Sequence, residues 1–152
     1  SVPCMILMGH NCHMSGTTKL ALGEYLRAYR EVPRDPLVNL LVAVGYLSHV
    51  MSRRCQDRHT SALRAFTFFF QYAALRRWSQ ETIYNLARAF HQLSLLSFAQ
   101  PCYEHVLRMG PPSAVGAEQD LKREAAYNLS LIYRASGSPE LARNLLITYC
   151  SI

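Results

Sequence analysis

A chain of 152 residues holds one hydrophobic core and leaves little room for a second domain. Half of the residues are apolar and 17% are charged, which excludes a disordered tail, and seven Gly with seven Pro exclude collagen-like or low-complexity sequence. Sixteen Lys and Arg against ten Asp and Glu leave +6, and all the basic residues except Lys19 and Lys122 are arginine, the side chain that grips carboxylate and phosphate bidentately.

Apolar periodicity and breaker residues predict eight helices, at 3–14, 18–31, 36–51, 59–76, 80–93, 97–109, 119–136 and 138–150. The first carries His10, Cys12 and His13, with Cys4 upstream. Zinc wants about four converging ligands and no fourth is found, so no metal site is assigned. The third is the most apolar, yet Leu37 to Leu47 is short and broken by Asn39, which excludes a membrane span. Between 53 and 88, seven arginines stand against only Asp57 and Glu81. Arg53, Arg54, Arg58, Arg76 and Arg77 are read as a basic patch.

The Phe66-Thr67-Phe68-Phe69-Phe70 run lies on the fourth helix, where core packing outweighs a base-stacking platform. Pro101 is expected near the start of its helix, and Pro111-Pro112-Ser113 opens a long loop. Ser138 and Pro139 read as N-cap and first helical residue of the last helix. Five cysteines (4, 12, 55, 102, 150), odd in number and without a CxxC pair, read as reduced and mostly buried thiols.

Four segments align on one template. A small residue (Gly9, Ala43, Ala87, Ser130) marks the close crossing of two helices, and a larger one lies three positions on (Cys12, Tyr46, Phe90, Tyr133). A second alanine on the return helix (Ala21, Ala62, Ala99, Ala142) is followed four positions later by Tyr25, Phe66, Tyr103 and Leu146. Pro33 and Pro111 stop the second helix of their repeats. This pattern resembles the tetratricopeptide repeat (TPR) family. The second alanines lie 41, 37 and 43 residues apart, longer than the family's period of about 34, so two loops are enlarged. The resemblance implies an all-α, TPR-like right-handed superhelix of about four antiparallel hairpins, with repeats at about 2–35, 36–77, 80–112 and 119–152 forming one domain.

In such an array the first helices line a concave groove. Its positions here are Tyr84, Arg88, His91 and Gln92 in the third repeat and Tyr127, Leu131 and Arg134 in the fourth, flanked by Glu81 and Glu124. This mixture of aromatic, basic and amide groups suits a peptide with acidic character. Asn85 and Asn128 match the family consensus and are assigned to backbone hydrogen bonds. Chaperone-binding TPR domains use Lys and Asn at defined groove positions. Here those positions hold Ile6, His10 and Glu81, and only Asn39 fits, so that reading is rejected. The last helix carries Leu141, Leu145, Ile147 and Tyr149 around much of its circumference, which predicts docking to another chain or to its own copy as a homodimer. There is no Gly-rich phosphate loop and no spaced nucleophile pair, so the chain is not read as an enzyme and no cofactor is expected.

More specific strings extend the resemblance. Residues 81–93 with 99–107, and the ending from Ala126-Tyr127-Asn128-Leu129 to Tyr149-Cys150-Ser151-Ile152, resemble the carboxy-terminal repeats of the TPR-subunit family of general transcription factor three C, of the RNA polymerase III system. The resemblance implies a nuclear scaffold. Its partners would be other subunits of the same factor and the polymerase III initiation factor, and the chain would be the terminal block of a longer subunit. Two alternatives stay open: a generic TPR adaptor in another complex, and a basic TPR surface making weak DNA backbone contacts.

Overall fold

The computed structural model describes residues 1–110 and 120–151. Among them the fold is all-α and TPR-like, with no strand. The helices are α1 (Val2–Met14), α2 (Thr18–Glu31), α3 (Pro36–Met51), α4 (Arg58–Leu75), α5 (Gln80–Gln92), α6 (Leu96–Arg108), α7 (Lys122–Ala135) and α8 (Pro139–Tyr149). Two compact units divide them, Ser1–Arg77 and Trp78–Ile152. In the first, α1 packs on α2, α2 on α3 and α3 on α4. In the second, α5 packs on α6, α6 on α7 and α7 on α8. Short connections between sequential helices make such neighbours antiparallel.

One turn is reused in three of the four hairpins. α1, α5 and α7 each end on a residue in the left-handed region: Gly16 and Gly137 at φ 82° and Ser94 at φ 59°. The next amide then reaches back to the carbonyl five residues earlier, Thr17 to Cys12 at 2.9 Å, Leu95 to Phe90 at 2.9 Å and Ser138 to Tyr133 at 2.8 Å. This is the Schellman closure, which satisfies the orphan carbonyls of a helix end. The accepting residues are the larger residues of the repeat pattern, so the sequence repeat is also a backbone repeat.

The small residues do sit at close approaches. Gly9, Ala43, Ala87 and Ser130 are all buried. A Cβ added at Gly9 would lie 2.8 Å from Tyr25 Cδ1. The ring cannot easily yield, because Tyr25 is buried and its Oη lies 2.8 Å from His10 Nδ1. Gly9→Ala is therefore expected to destabilise the chain by about 1–3 kcal/mol, the range for overpacking. Gly23, on α2 with nothing within 4 Å of an added Cβ, gives the opposite sign. Gly23→Ala is expected to stabilise by about 0.5–1 kcal/mol through helix propensity. Urea denaturation of the two variants checks both signs.

The second repeat differs from its expected register. Ala62 and Phe66 are only half-buried, whereas Ala65 and Phe69 are 0% and 3% exposed. The alanine–aromatic pair is thus shifted three residues along α4, and Ala65 stands 34 positions before Ala99, the ordinary TPR spacing. Of the Phe run only Phe69 is core on that register; Phe66 and Phe68 are half-buried and Phe70 is 45% exposed. Phe68 meets Tyr29 edge-on at 5.1 Å and stacks on Tyr46 at 5.9 Å.

Other local expectations shift as well. α7 begins at Lys122 rather than 119. Ahead of it, Gln80 Oε1 accepts from the Leu121 amide at 3.0 Å and Asp120 Oδ1 accepts from the Lys122 amide at 3.1 Å. These two bonds satisfy two of the donors at the helix start. Residue 119, Pro111 with the loop it opens, and Ile152 lie outside the described residues. Pro101 falls in the middle of α6 rather than near its start. Ser138 occupies the N-cap of α8 with Pro139 following, but its side chain makes no capping bond. The thiols are free yet not mostly buried: Cys4 is exposed and the other four are half-buried. No helix among the described residues is long and apolar enough to cross a membrane.

Candidate protein-binding site

α5 and α7 carry the seven residues expected to line the groove, all in the second unit. Arg88 and Gln92 on α5, and Tyr127, Leu131 and Arg134 on α7, are exposed, Tyr127 by 54%. Tyr84 and His91 are half-buried. Asn128 Nδ2 donates to Tyr84 Oη at 3.2 Å, tying α7 directly to α5. That bond corrects the expected backbone role of Asn128. Tyr84 stands on the α5 side of this bond, and exposed Tyr127 precedes Asn128 in sequence on α7.

Tyr103, fully buried on α6, lies beneath this face. The Tyr84 ring meets it at 6.1 Å and the His91 ring edge-on at 5.8 Å, with His91 Nδ1 3.2 Å from Tyr103 Oη. Burial holds the His91 imidazole below its ordinary pKa and pushes the Tyr103 phenol up. Burial thus disfavours the charged form of His91, whereas Arg88 and Arg134 are exposed cations. Tyr127 and Leu131 are exposed apolar side chains, Gln92 is an exposed amide, and Glu81 and Glu124 sit in the first turns of their helices. The depressed His91 pKa gives a sign: its contribution is full above the unfolded value of 6.5 and is lost as pH falls through the folded value. Denaturation at about pH 7.5 and about pH 5 is expected to show stability falling in acid, with a smaller fall in His91→Asn.

No family model matches the chain. Three curated relatives match it over most of its length. It is 40% identical over 150 residues to General transcription factor 3C polypeptide 3 of Homo sapiens, covering 97% of this chain and 17% of that protein. It is 34% identical over 160 residues to Transcription factor tau subunit sfc4 of Schizosaccharomyces pombe, covering 95% and 16%. The Transcription factor tau 131 kDa subunit of Saccharomyces cerevisiae is 35% identical over 138 residues, covering 87% and 13%. This chain is a homologue of those transcription factor subunits. It spans about one sixth of the length of the first two.

The two other sequence-predicted surfaces of this subunit homologue are rearranged by the fold. On α8, Leu141 and Ile147 are 51% and 58% exposed and Tyr149 is half-buried, whereas Leu145 packs against the core of its own unit. Leu145 therefore does not belong to an outer docking face, because the return helix spends it on its hairpin partner. The five arginines are all exposed but do not form one patch. Arg53, Arg54 and Arg58 surround the start of α4, and Arg76 and Arg77 follow its end. Eighteen residues of helix separate the groups, about 27 Å at the α-helical rise.

Several polar residues of the structure escaped the sequence reading. Gln80, 4% exposed, donates through Nε2 to Asp120 Oδ1 at 2.9 Å while it caps α7. Glu104 on α6 accepts from Gln100 Nε2 at 3.0 Å and from Tyr133 Oη at 2.9 Å. Burial, with the Glu104 charge, pushes the Tyr133 phenol up to about 12. Asn39 is fully buried and donates to the carbonyls of Pro33 at 3.0 Å and Asp35 at 2.9 Å, so its amide holds the turn before α3 instead of facing a ligand. No repeat pattern announces Gln80 or Glu104, since each makes a bond that spans 29 or more residues of sequence.

Proposed function

We propose that this chain is a protein-binding block of a general transcription factor 3C-type complex, serving in the nucleus as a scaffold that helps to assemble the factor and recruit the RNA polymerase III initiation machinery. It has no catalytic role. Its relatives are named as transcription factor subunits, and partners among the subunits of the same complex follow from that likeness. The observation that carries the binding role is the seam at Asn128 and Tyr84. It joins two first helices, and Arg88 and Gln92 on one and Tyr127, Leu131 and Arg134 on the other are exposed. Aromatic and arginine side chains are the commonest anchors of protein interfaces.

A photo-crosslinking amino acid at position 127, in the full-length subunit within the purified factor, tests this reading. Crosslinks to a segment of another subunit are expected. A position that crosslinks only to its own chain while the complex stays intact would remove the groove from the interface. Leu141 and Ile147 on α8 support a second contact, with a different subunit or a second copy. Sedimentation of the isolated chain distinguishes the two.

A further inference from the structure

The first unit holds a cleft of about 980 Å³. It opens where the α1–α2 turn, the end of α3 and the α3–α4 connection meet, and Lys19, His49, Arg53, Arg54, Thr17 and Ser61 are among its lining residues. Lys19, Arg53 and Arg54 make no ion pair among the described residues. The cleft's one carboxylate, Asp57, is engaged elsewhere: it accepts from the Thr60 amide at 3.0 Å and the Thr60 hydroxyl at 2.6 Å, capping its own helix. Those bonds hold the Asp57 carboxyl below its ordinary pKa. Three cations therefore face one committed anion.

The start of α2 adds to this field. Thr17 stands at its N-cap, but the Thr17 hydroxyl donates to the Cys12 carbonyl at 2.9 Å, and no side chain caps the helix. The first-turn residues Thr18, Lys19 and Leu20 line the cleft with their amides uncapped. A helix start carries partial positive charge and free N–H donors, and here it stands beside two guanidinium groups and an ammonium. The start of α4, on the cleft's other wall, already has its anion in Asp57.

We propose that this cleft binds an acidic peptide segment, whose side-chain carboxylate or phosphoserine group sits between the α2 start and Arg53, Arg54 and Lys19. Both anions match the bidentate fork of arginine. Peptide is favoured over duplex DNA by shape. Clefts of roughly 300–1,000 Å³ hold compact ligands, whereas a duplex needs an extended basic ridge meeting several phosphates at once. Arg76 and Arg77, which a ridge along α4 would need, are about 27 Å away at its other end.

The test uses two fluorescent peptides of about twelve residues, one rich in Glu and one with a central phosphoserine, and a 20-base-pair duplex, each titrated by anisotropy at about 150 mM salt. At least one peptide is expected to bind, which of the two identifying the anion. Arg53→Glu with Arg54→Glu is expected to weaken that binding at least tenfold. Arg76→Glu with Arg77→Glu, the same change in net charge, is expected to weaken it less than twofold. Hydrogen exchange on the unmutated chain is expected to slow at residues 18–20 when peptide is added. Binding by neither peptide, equal losses in the two double variants, or no protection at 18–20 would overturn the proposal. So would a duplex that binds more tightly than both peptides and depends on Arg53 and Arg54.

Discussion

Replacing Tyr103 with alanine is expected to destabilise the second unit by about 3–5 kcal/mol, the cost of removing a fully buried aromatic side chain. The ring is completely shielded from solvent, within a core cluster that includes Ala87, Ala99, Val106, Ala125, Leu129 and Ile132. Five of these neighbours are small or rigidly branched, so they cannot swing in to fill the void. Two residues of the candidate groove also lose their support, since the Tyr84 and His91 rings both rest edge-on against Tyr103. Because total stability of a domain is about 5–15 kcal/mol, such a loss takes a large share of it. Tyr103→Phe separates the ring from its hydroxyl. It keeps the packing and removes the hydroxyl's contacts with His91 Nδ1 and the Asn128 side chain, at a cost of about 1 kcal/mol each. Urea denaturation followed by circular dichroism measures both. A cost below about 1 kcal/mol for the alanine variant would show that the ring does not fill the gap between α6 and its neighbours.

How far the sequence reveals this arrangement depends on where the information is local. The ends of α1 and α7 carry a local signal in Gly16 and Gly137, because only a residue tolerant of positive φ closes that turn easily. α5 ends the same way on Ser94, where no glycine signals it, and the shared pattern of Ala87 and Phe90 supplies the inference instead. The register of α4 was not readable. Phe66, Phe68, Phe69 and Phe70 crowd every face of that helix, so the choice between Ala62 and Ala65 rests on which alanine meets α3, a matter of packing alone. Leu145 and the arginines failed for a related reason. Composition identifies what a helix carries but not its rotation or length, and 18 residues of α4 turn one sequence cluster into two distant groups. The seam at Asn128 lies beyond local reading, since it joins residues 44 apart in sequence.

The groove reading yields the second large effect. Tyr127→Ala combined with Leu131→Ala is expected to lower affinity for the subunit segment crosslinked from position 127 at least tenfold, about 1.4 kcal/mol or more. Both side chains are exposed, 54% and 38%, so folding itself is expected to change by no more than about 0.5 kcal/mol for each. That separation gives the experiment its force. Tyr84→Ala, by contrast, removes a half-buried ring that packs on Tyr103 and accepts from Asn128, so it should weaken folding and binding together. Arg88→Glu and Arg134→Glu probe the electrostatic half of the same face. If the bound segment is acidic, each reversal slows association and removes part of its salt dependence, while Gln92→Ala leaves the salt dependence unchanged. Surface plasmon resonance at two salt concentrations resolves these rates. A double variant at Tyr127 and Leu131 that binds as tightly as the unmodified chain would mean that α5 and α7 turn their joint face to solvent in the assembled factor, and the partner contacts would then have to fall to α8 and the first unit.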